Sequence, residues 1–427
     1  MALAIRNRWG VFALASIFFI LSQFYRASMA VISSDLIRDL QLNASDLSLL
    51  SSVFFYAFAL VQIPIGLTLD RFGPRLTMSV LSLFGLAGAL CFAWSDTLGM
   101  AIWGRLLLGL GMACNLMGPF KLLTLWFSPK QFASLTTLIF SIGTAGNLAA
   151  TSPLVLVVQG VGWRWAFTLI AAFHAVLILV FMLMIRDHPP DRQEHMSAPV
   201  LDKVFQGLRA LLKSRDYWLI SLGTFCRYGV YAAIQTLWAG PYLMNGLGLS
   251  PLLTGNIILL MNLGFILSGP LWGSWSDRLG YRKRFVLMGL LSMAGIMIFL
   301  NTLSLQTSIV LFCVLFVAFG AAGSTGGIMY TQIKERMPDH LAATAMTGIN
   351  LFTMIGAAGF SHGLGLLMQS VHGEAALSLP AFQMIFRLCA GCLLTVFCLY
   401  CFTREDATAN THAAAARGQR SEVNKSR

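Results

Sequence analysis

Twelve apolar stretches follow one another along this chain, at about 10–33, 46–68, 76–94, 99–123, 131–158, 163–185, 217–240, 252–274, 284–303, 307–332, 341–369 and 380–402. Each is near the roughly 20 residues that carry a helix across a bilayer. In hydrocarbon the backbone polar groups can bond only to one another, which limits spanning structures to helices and closed barrels. Barrel strands would alternate polar and apolar side chains over about ten positions. These stretches are continuous, so each is read as a helix. Only 11% of the residues are charged, against about 25% in an ordinary soluble domain. The expected fold is an all-α integral membrane protein with twelve transmembrane helices.

The charges orient those helices. Of 29 Lys and Arg residues, most fall on the side that holds the N-terminus. They include Arg6, Arg8, Arg71, Arg75, Lys121 and Lys130, the group between Arg186 and Arg215, Arg278 to Arg284, Lys334, Arg336, and those from Arg404 to Arg427. The positive-inside rule then puts both termini in the cytoplasm. The net charge of +12 is a mark of topology, so no nucleic-acid partner is expected, and the basic face can lie against anionic lipid. No cleavable leader is expected, because the first apolar run is long enough to span. The eight Cys lie almost entirely within helices, and the pairs Cys389/Cys392 and Cys398/Cys401 have no His or acid beside them. Neither a disulfide framework nor a metal site is expected. Short loops and the absence of organelle signals suit a bacterial inner (plasma) membrane.

The chain also repeats itself. Gly66–Arg75 reads GLTLDRFGPR and Gly273–Arg282 reads GSWSDRLGYR, so Gly-x-x-x-Asp-Arg-x-Gly-x-Arg occurs after the second and the eighth stretch. A second echo pairs IGTAG at Ile142–Gly146 with IGAAG at Ile355–Gly359. Such self-similarity marks an internal duplication and predicts two pseudo-symmetric six-helix bundles. The expected units are an N-terminal bundle (1–185), a cytoplasmic connecting loop (186–216), a C-terminal bundle (217–403) and a disordered cytoplasmic tail (404–427).

The twice-repeated loop resembles the signature of the major facilitator superfamily, and the resemblance runs from end to end of the chain. It implies a monomeric secondary transporter that works by alternating access. In such a protein Gly66, Asp70, Arg71, Gly73 and Arg75, with Gly273, Asp277, Arg278, Gly280 and Arg282 in the second copy, would latch the inner gate. The glycines would allow close helix contact, and each carboxylate could pair with a neighbouring Arg. The alternative is that the basic residues are topogenic only. Gly104–Gly111 (GRLLLGLG) resembles the fourth-helix motif of the superfamily that is linked with proton coupling. Arg105 is therefore a coupling candidate or, equally, a structural residue bonded to the first helix.

Charges at bilayer depth are functional candidates by default. Arg26, Arg105, Arg227 and Arg387 qualify, whereas no Asp or Glu lies in the middle of a stretch. An unpaired Arg there must face water, a carbonyl or an anion from outside. Arg26 and Arg227 lie on the first helix of each half, an arrangement similar to that of the glycerol-3-phosphate and sugar-phosphate antiporters. A guanidinium fork suits phosphate or carboxylate, to which it donates two parallel hydrogen bonds. The match is approximate, since ungapped alignment of the halves pairs Arg26 with Ala233. Gln23 stands one turn before Arg26, and Tyr228, Tyr231, Gln235 and Trp238 form one helical stripe beside Arg227. These residues complete a candidate substrate-binding face. Lys121 is expected to snorkel to the inner surface. His174 and His362 could titrate near neutrality and serve in coupling, or simply be packed.

The reading is a secondary active or facilitative transporter of a small anionic or zwitterionic organic solute, with room for a co- or counter-transported ion. An exporter of a metabolite, siderophore or drug is the alternative; a membrane sensor that has lost transport is a third reading. An enzyme is not expected, because no nucleophile–base or metal cluster lies at membrane depth. No cofactor is implied.

Overall fold

A computed structural model describes residues 8–187, 211–303, 307–337 and 339–404. Most of the expected connecting loop and all but Arg404 of the expected tail lie outside these residues. Among the described residues there is no strand. Nine helices among the described residues are long and apolar enough to cross a membrane. One of them, over Ser134–Met184, turns at Gly162 and crosses twice. The shorter apolar helix Ala44–Leu60 and the helix Arg215–Ala233, prolonged to Gly246, bring the crossings to twelve.

The spans start where local chemistry favours a helix. Asn43 and Asp46 form a reciprocal capping box at the second span, and Thr97, Ser214 and Ser250 cap the fourth, seventh and eighth. These side chains satisfy backbone N–H groups that the first turn leaves without a partner. Gly73 and Gly280, the equivalent glycines of the two repeated loops, both have positive φ (78° and 70°), a region that a Cβ disfavours.

The helices run a few residues beyond the apolar stretches, and several are broken inside them. The first divides at Ser28 into Arg8–Ala27 and Met29–Leu40. The fourth divides into Leu98–Met112 and Met117–Trp126, and its counterpart, the tenth, into Ile309–Gly323 and Gly326–Arg336. The seventh widens into π turns at Ile234–Trp238 and Tyr242–Gly246. Pro241 supplies no N–H to bond Leu237, and the Thr236 hydroxyl donates to the Ala232 carbonyl at 2.8 Å. Both weaken the ordinary helical ladder there.

Each repeated Ile-Gly motif packs on the first helix of its own half. A Cβ at Gly146 would collide with the Ile20 carbonyl, and one at Gly356 with the Phe225 carbonyl. Glycine permits that close approach, and tight helix packing in lipid depends on it. Gly66 and Gly273 differ from expectation, since nothing lies within 4 Å of a Cβ at either.

The two bundles meet at the end away from Arg8. Gly240 presses on the Ala30 carbonyl, Gly365 on the Ser48 side chain, and Gly255 on Ser152. Ser34 Oγ donates to Asn245 Oδ1 at 3.4 Å, and Ser152 Oγ lies 2.5 Å from Asn256 Oδ1. At the opposite end the ion pairs Lys121–Asp70, Arg282–Glu335 and Arg336–Asp216 each stay within one bundle.

Candidate functional site

Arg26 occupies the last turn of Arg8–Ala27, just before the Ser28 break, and is 9% exposed. Its guanidinium reaches across the bundle interface, where Nη1 donates to the Tyr228 hydroxyl at 3.4 Å. It also lies 5.1 Å from the Phe58 ring centroid and 6.0 Å from that of Phe55. Such cation–π contacts stabilise a desolvated Arg without neutralising it. The Arg26 Nε and the Gln23 Oε1 are buried without a partner among the described residues.

Arg227 is arranged differently. It is 3% exposed, and its Nη1 donates to the Gly323 carbonyl at the break in the tenth span. A Cβ at Gly326 would fall inside the guanidinium. The cation therefore caps a broken helix end, where carbonyls lack partners and the helix dipole favours positive charge. Its Nε remains unpartnered.

The stripe inferred on the seventh span is only partly kept. Tyr228 faces Arg26, but Tyr231 turns into its own bundle and stacks on Phe265 and Phe319 at 5.1 and 5.6 Å. The π turn that begins at Ile234 shifts the register beyond it. Gln235 donates to Asn262 of the eighth span, and Trp238, fully buried, donates to the Ser361 carbonyl at 3.2 Å.

Sequence reasoning missed Tyr330, Asn350 and Thr353. The Tyr330 hydroxyl bonds Asn350 Oδ1 at 3.2 Å and lies 3.1 Å from Thr353 Oγ1. Tyr330 is within electrostatic reach of Tyr228, Arg227 and Arg26. The tenth span would have yielded it by the same test used on the seventh, namely polar aromatics inside an apolar run.

The coupling candidates separate. Arg105 is fully buried, donating to the Tyr25 carbonyl at 2.8 Å and the Leu50 carbonyl at 3.4 Å, over the Phe54 ring. This is the bonding to the first helix that was the alternative to coupling. His174 is buried between Phe18 and Tyr25. His362 lies on the seam of the second and eleventh spans, beside Tyr56, and its carbonyl accepts from Ser48. Neither histidine is shown in contact with Arg26.

The repeated loops are not alike in their partners. Asp70 pairs with Lys121 at 2.7 Å rather than with an Arg of its own loop, so Lys121 does not snorkel freely. Arg75 donates from its backbone N–H to Asp187 and from its side chain to the Met182 carbonyl, both at 2.7 Å. Arg71 lies over Phe72, and Arg278 is exposed. Asp277 pairs with Arg282, which also binds Glu335 at 3.0 Å. Burial would loosen the Arg282 proton, but Glu335 and Asp277 outweigh it and raise the guanidinium above its usual value.

All eight Cys are free thiols, and no group of metal-ligating side chains is found among the described residues. An apolar groove of about 660 Å³, lined by Tyr56, Leu60, Leu110, Leu351 and Ile355 among others, opens between the second, fourth and eleventh spans. Its lining is almost wholly apolar and carries no charged side chain.

A family model for the Major Facilitator Superfamily matches residues 12–361 and 220–424. The chain belongs to the Major Facilitator Superfamily. It is a multi-pass membrane protein. Among its relatives is the uncharacterized transporter YybO of Bacillus subtilis (strain 168), 24% identical over 302 residues, or 63% of this chain and 65% of that protein. The chain therefore matches just under two thirds of the length of YybO. The nitrite extrusion protein of the same organism is 27% identical over 280 residues, covering 64% of this chain and 67% of that protein. The probable galactarate/D-glucarate transporter GarP of Escherichia coli (strain K12) is 25% identical over 391 residues, 81% of this chain and 85% of its own length. The fold matches a solved bacterial homologue of the human lysosomal transporter Spinster, in an inward-facing and unoccupied conformation, with a TM-score of 0.77. That match is 16% identical and covers 92% of this chain and 96% of the other.

Proposed function

We propose that this superfamily member moves a small anionic solute across the membrane by alternating access, with Arg26 as the anion's principal contact. The observation that carries this reading is a buried guanidinium at the meeting of the two bundles, its Nε unpartnered, with no described carboxylate bonded to it. An uncompensated buried cation is costly, and an arriving anion removes that cost. Tyr228, Tyr330 and Gln23 supply neutral polar walls, and Arg227 adds positive potential from behind. The names of two relatives, a nitrite extruder and a galactarate/D-glucarate transporter, fit a site of this sign.

The basic end, which carries both termini, is assigned to the cytoplasm of a bacterial inner membrane. The seam closed by Gly240, Gly365 and Gly255 then lies outside, and the conformation is inward-facing. The Asp70 and Asp277 loops, each held here within its own bundle, would join the bundles in the opposite conformation. Export is the second reading, favoured by the name of the nitrite relative.

The test is ligand-induced thermal stabilisation of the purified protein by sodium nitrite, D-glucarate and a cationic drug, with Arg26→Ala alongside. A ligand at 100 times its dissociation constant adds about 2.7 kcal/mol. Stabilisation of the wild type by an anion, and its loss in the variant, is expected; counterflow in liposomes then gives direction. Stabilisation by the cation alone, or an unchanged anion response in Arg26→Ala, would overturn the reading.

A further inference from the structure

We propose that Tyr330, Asn350 and Thr353 form a reader for a solute hydroxyl, so that the anion bound at Arg26 is a polyhydroxy acid with a single carboxylate. This rests on the anion reading above and names the solute class for the same site. The carboxylate would sit on Arg26 of one bundle, and the hydroxyls on the tenth and eleventh spans of the other.

The neutral wall belongs to the same interface as Arg26. Tyr228 accepts from Arg26 Nη1 at 3.4 Å, and the Tyr330 phenol is within electrostatic reach of Tyr228, Arg26 and Arg227. Tyr228, Tyr330 and Asn350 stay partly exposed at membrane depth. Among the described residues no hydrogen bond joins Arg26 to Tyr330 or Asn350. The guanidinium and the wall are therefore separate points of attachment for a solute.

The hydrogen bonds within the wall decide what it accepts. Thr353 Oγ1 donates to the Ile349 carbonyl at 2.8 Å, so towards Tyr330, at 3.1 Å, it acts as an acceptor. Asn350 Oδ1 is a second acceptor for the same phenol, at 3.2 Å. A tyrosine hydroxyl has one proton to give and can also accept. The Tyr330 proton is thus claimed twice, while its oxygen receives no other proton from the described residues. The Asn350 amide N–H groups meet no acceptor among those residues. Turning that amide end for end still leaves the wall with a donor and an acceptor.

An alcohol fills both roles at once, whereas a carboxylate only accepts and an alkyl tail does neither. A second carboxylate would also find no cation to bond there. Arg227 sends its field to Tyr330, but its Nη1 is committed to the Gly323 carbonyl and its fork is packed on Gly326. Arg105 is held by carbonyls of the first and second spans, and Arg387 lies exposed on the twelfth. Burying an ionised group without a partner costs more than burying an alcohol that is bonded. Charge is read on one bundle and hydroxyls on the other.

The test is isothermal titration of the purified full-length protein at about pH 7.5 with D-gluconate, D-glucarate, hexanoate and sodium nitrite. D-gluconate has one carboxylate and hydroxyls, D-glucarate has a carboxylate at each end, and hexanoate has no hydroxyl. Wild type is expected to bind D-gluconate about tenfold more tightly than hexanoate, as one or two neutral hydrogen bonds allow, and more tightly than D-glucarate. In Asn350→Leu and in Tyr330→Phe the margin over hexanoate should vanish. Tyr330→Phe removes a single atom and carries the comparison if Asn350→Leu does not fold. A wild type that prefers D-glucarate or nitrite, or binds hexanoate as well as D-gluconate, overturns the hydroxyl reader and leaves the anion reading standing. A margin that survives in both variants overturns the assignment to these residues. Failure of all four anions to bind wild type overturns the anion reading, and this inference falls with it.

Discussion

The two bundles brace the same pair of helices with the roles exchanged. In the N-terminal half, Arg105 of the fourth span bonds a carbonyl of the broken first span. In the C-terminal half, Arg227 of the seventh span bonds a carbonyl of the broken tenth. First and seventh are counterparts, as are fourth and tenth, so donor and acceptor have traded places. Arg227 therefore resembles Arg105 in its bonding more than it resembles Arg26. Symmetry of sequence position is a poor guide to symmetry of role when a long side chain can cap either of two broken helices. The half that braces from the fourth span leaves its first-span arginine at the interface; the other half spends its arginine on the brace.

The largest effect should follow from removing the N-terminal brace. Arg105→Ala removes two buried, charge-assisted hydrogen bonds, to the Tyr25 and Leu50 carbonyls, and should cost roughly 4 kcal/mol, read as the lowest unfolding transition of the series in detergent. Next, Arg26→Ala should weaken anion binding about thirtyfold, the equivalent of one charge-assisted hydrogen bond of about 2 kcal/mol, while unfolding stays close to wild type. Arg227→Lys keeps the charge but loses the fork; it should lower stability by about 1–2 kcal/mol and leave affinity within about threefold. A fall in affinity as deep as that of Arg26→Ala would erase the contrast and restore a two-armed clamp. Smallest of all, Asp70→Asn and Asp277→Asn should each change stability by less than about 1 kcal/mol, because both pairs are partly exposed. Their effect belongs in turnover, measured in proteoliposomes, and equal turnover in both variants and wild type would reduce the loops to topogenic charge.

The span count, the duplication and Arg26 were legible because each leaves a local mark: a run of apolar residues, a recurring pattern, a charge where none belongs. What was not legible lay between segments. Tyr231 and Gln235 were put on one stripe with Tyr228 by sequence spacing alone; Tyr231, still in the regular helix, turns into its own bundle to stack on Phe265 and Phe319, and the π turn seeded around Thr236 and Pro241 shifts the register of Gln235. Lys121 could not be matched to Asp70 from sequence, because their meeting depends on how the second and fourth spans tilt. Arg227 looked like the equal of Arg26, since nothing in its own segment announces a broken helix in the tenth. Ser28, Ser324 and Thr325 mark breaks only once the neighbouring arginines are seen to occupy the freed carbonyls.

The seam at Gly240, Gly365 and Gly255 is sealed by small residues and neutral polar groups, whereas the other end of the molecule carries its ion pairs within each bundle. Parting the neutral seam need break none of the ion pairs at that end, because Arg38 and Arg164 pair with Asp35 and Asp39 inside the N-terminal bundle. Closing the basic end must rearrange Asp70, Asp277, Arg282 and Glu335. Dissolved salt should therefore set the tempo of one half of the working cycle and leave the other half indifferent to it.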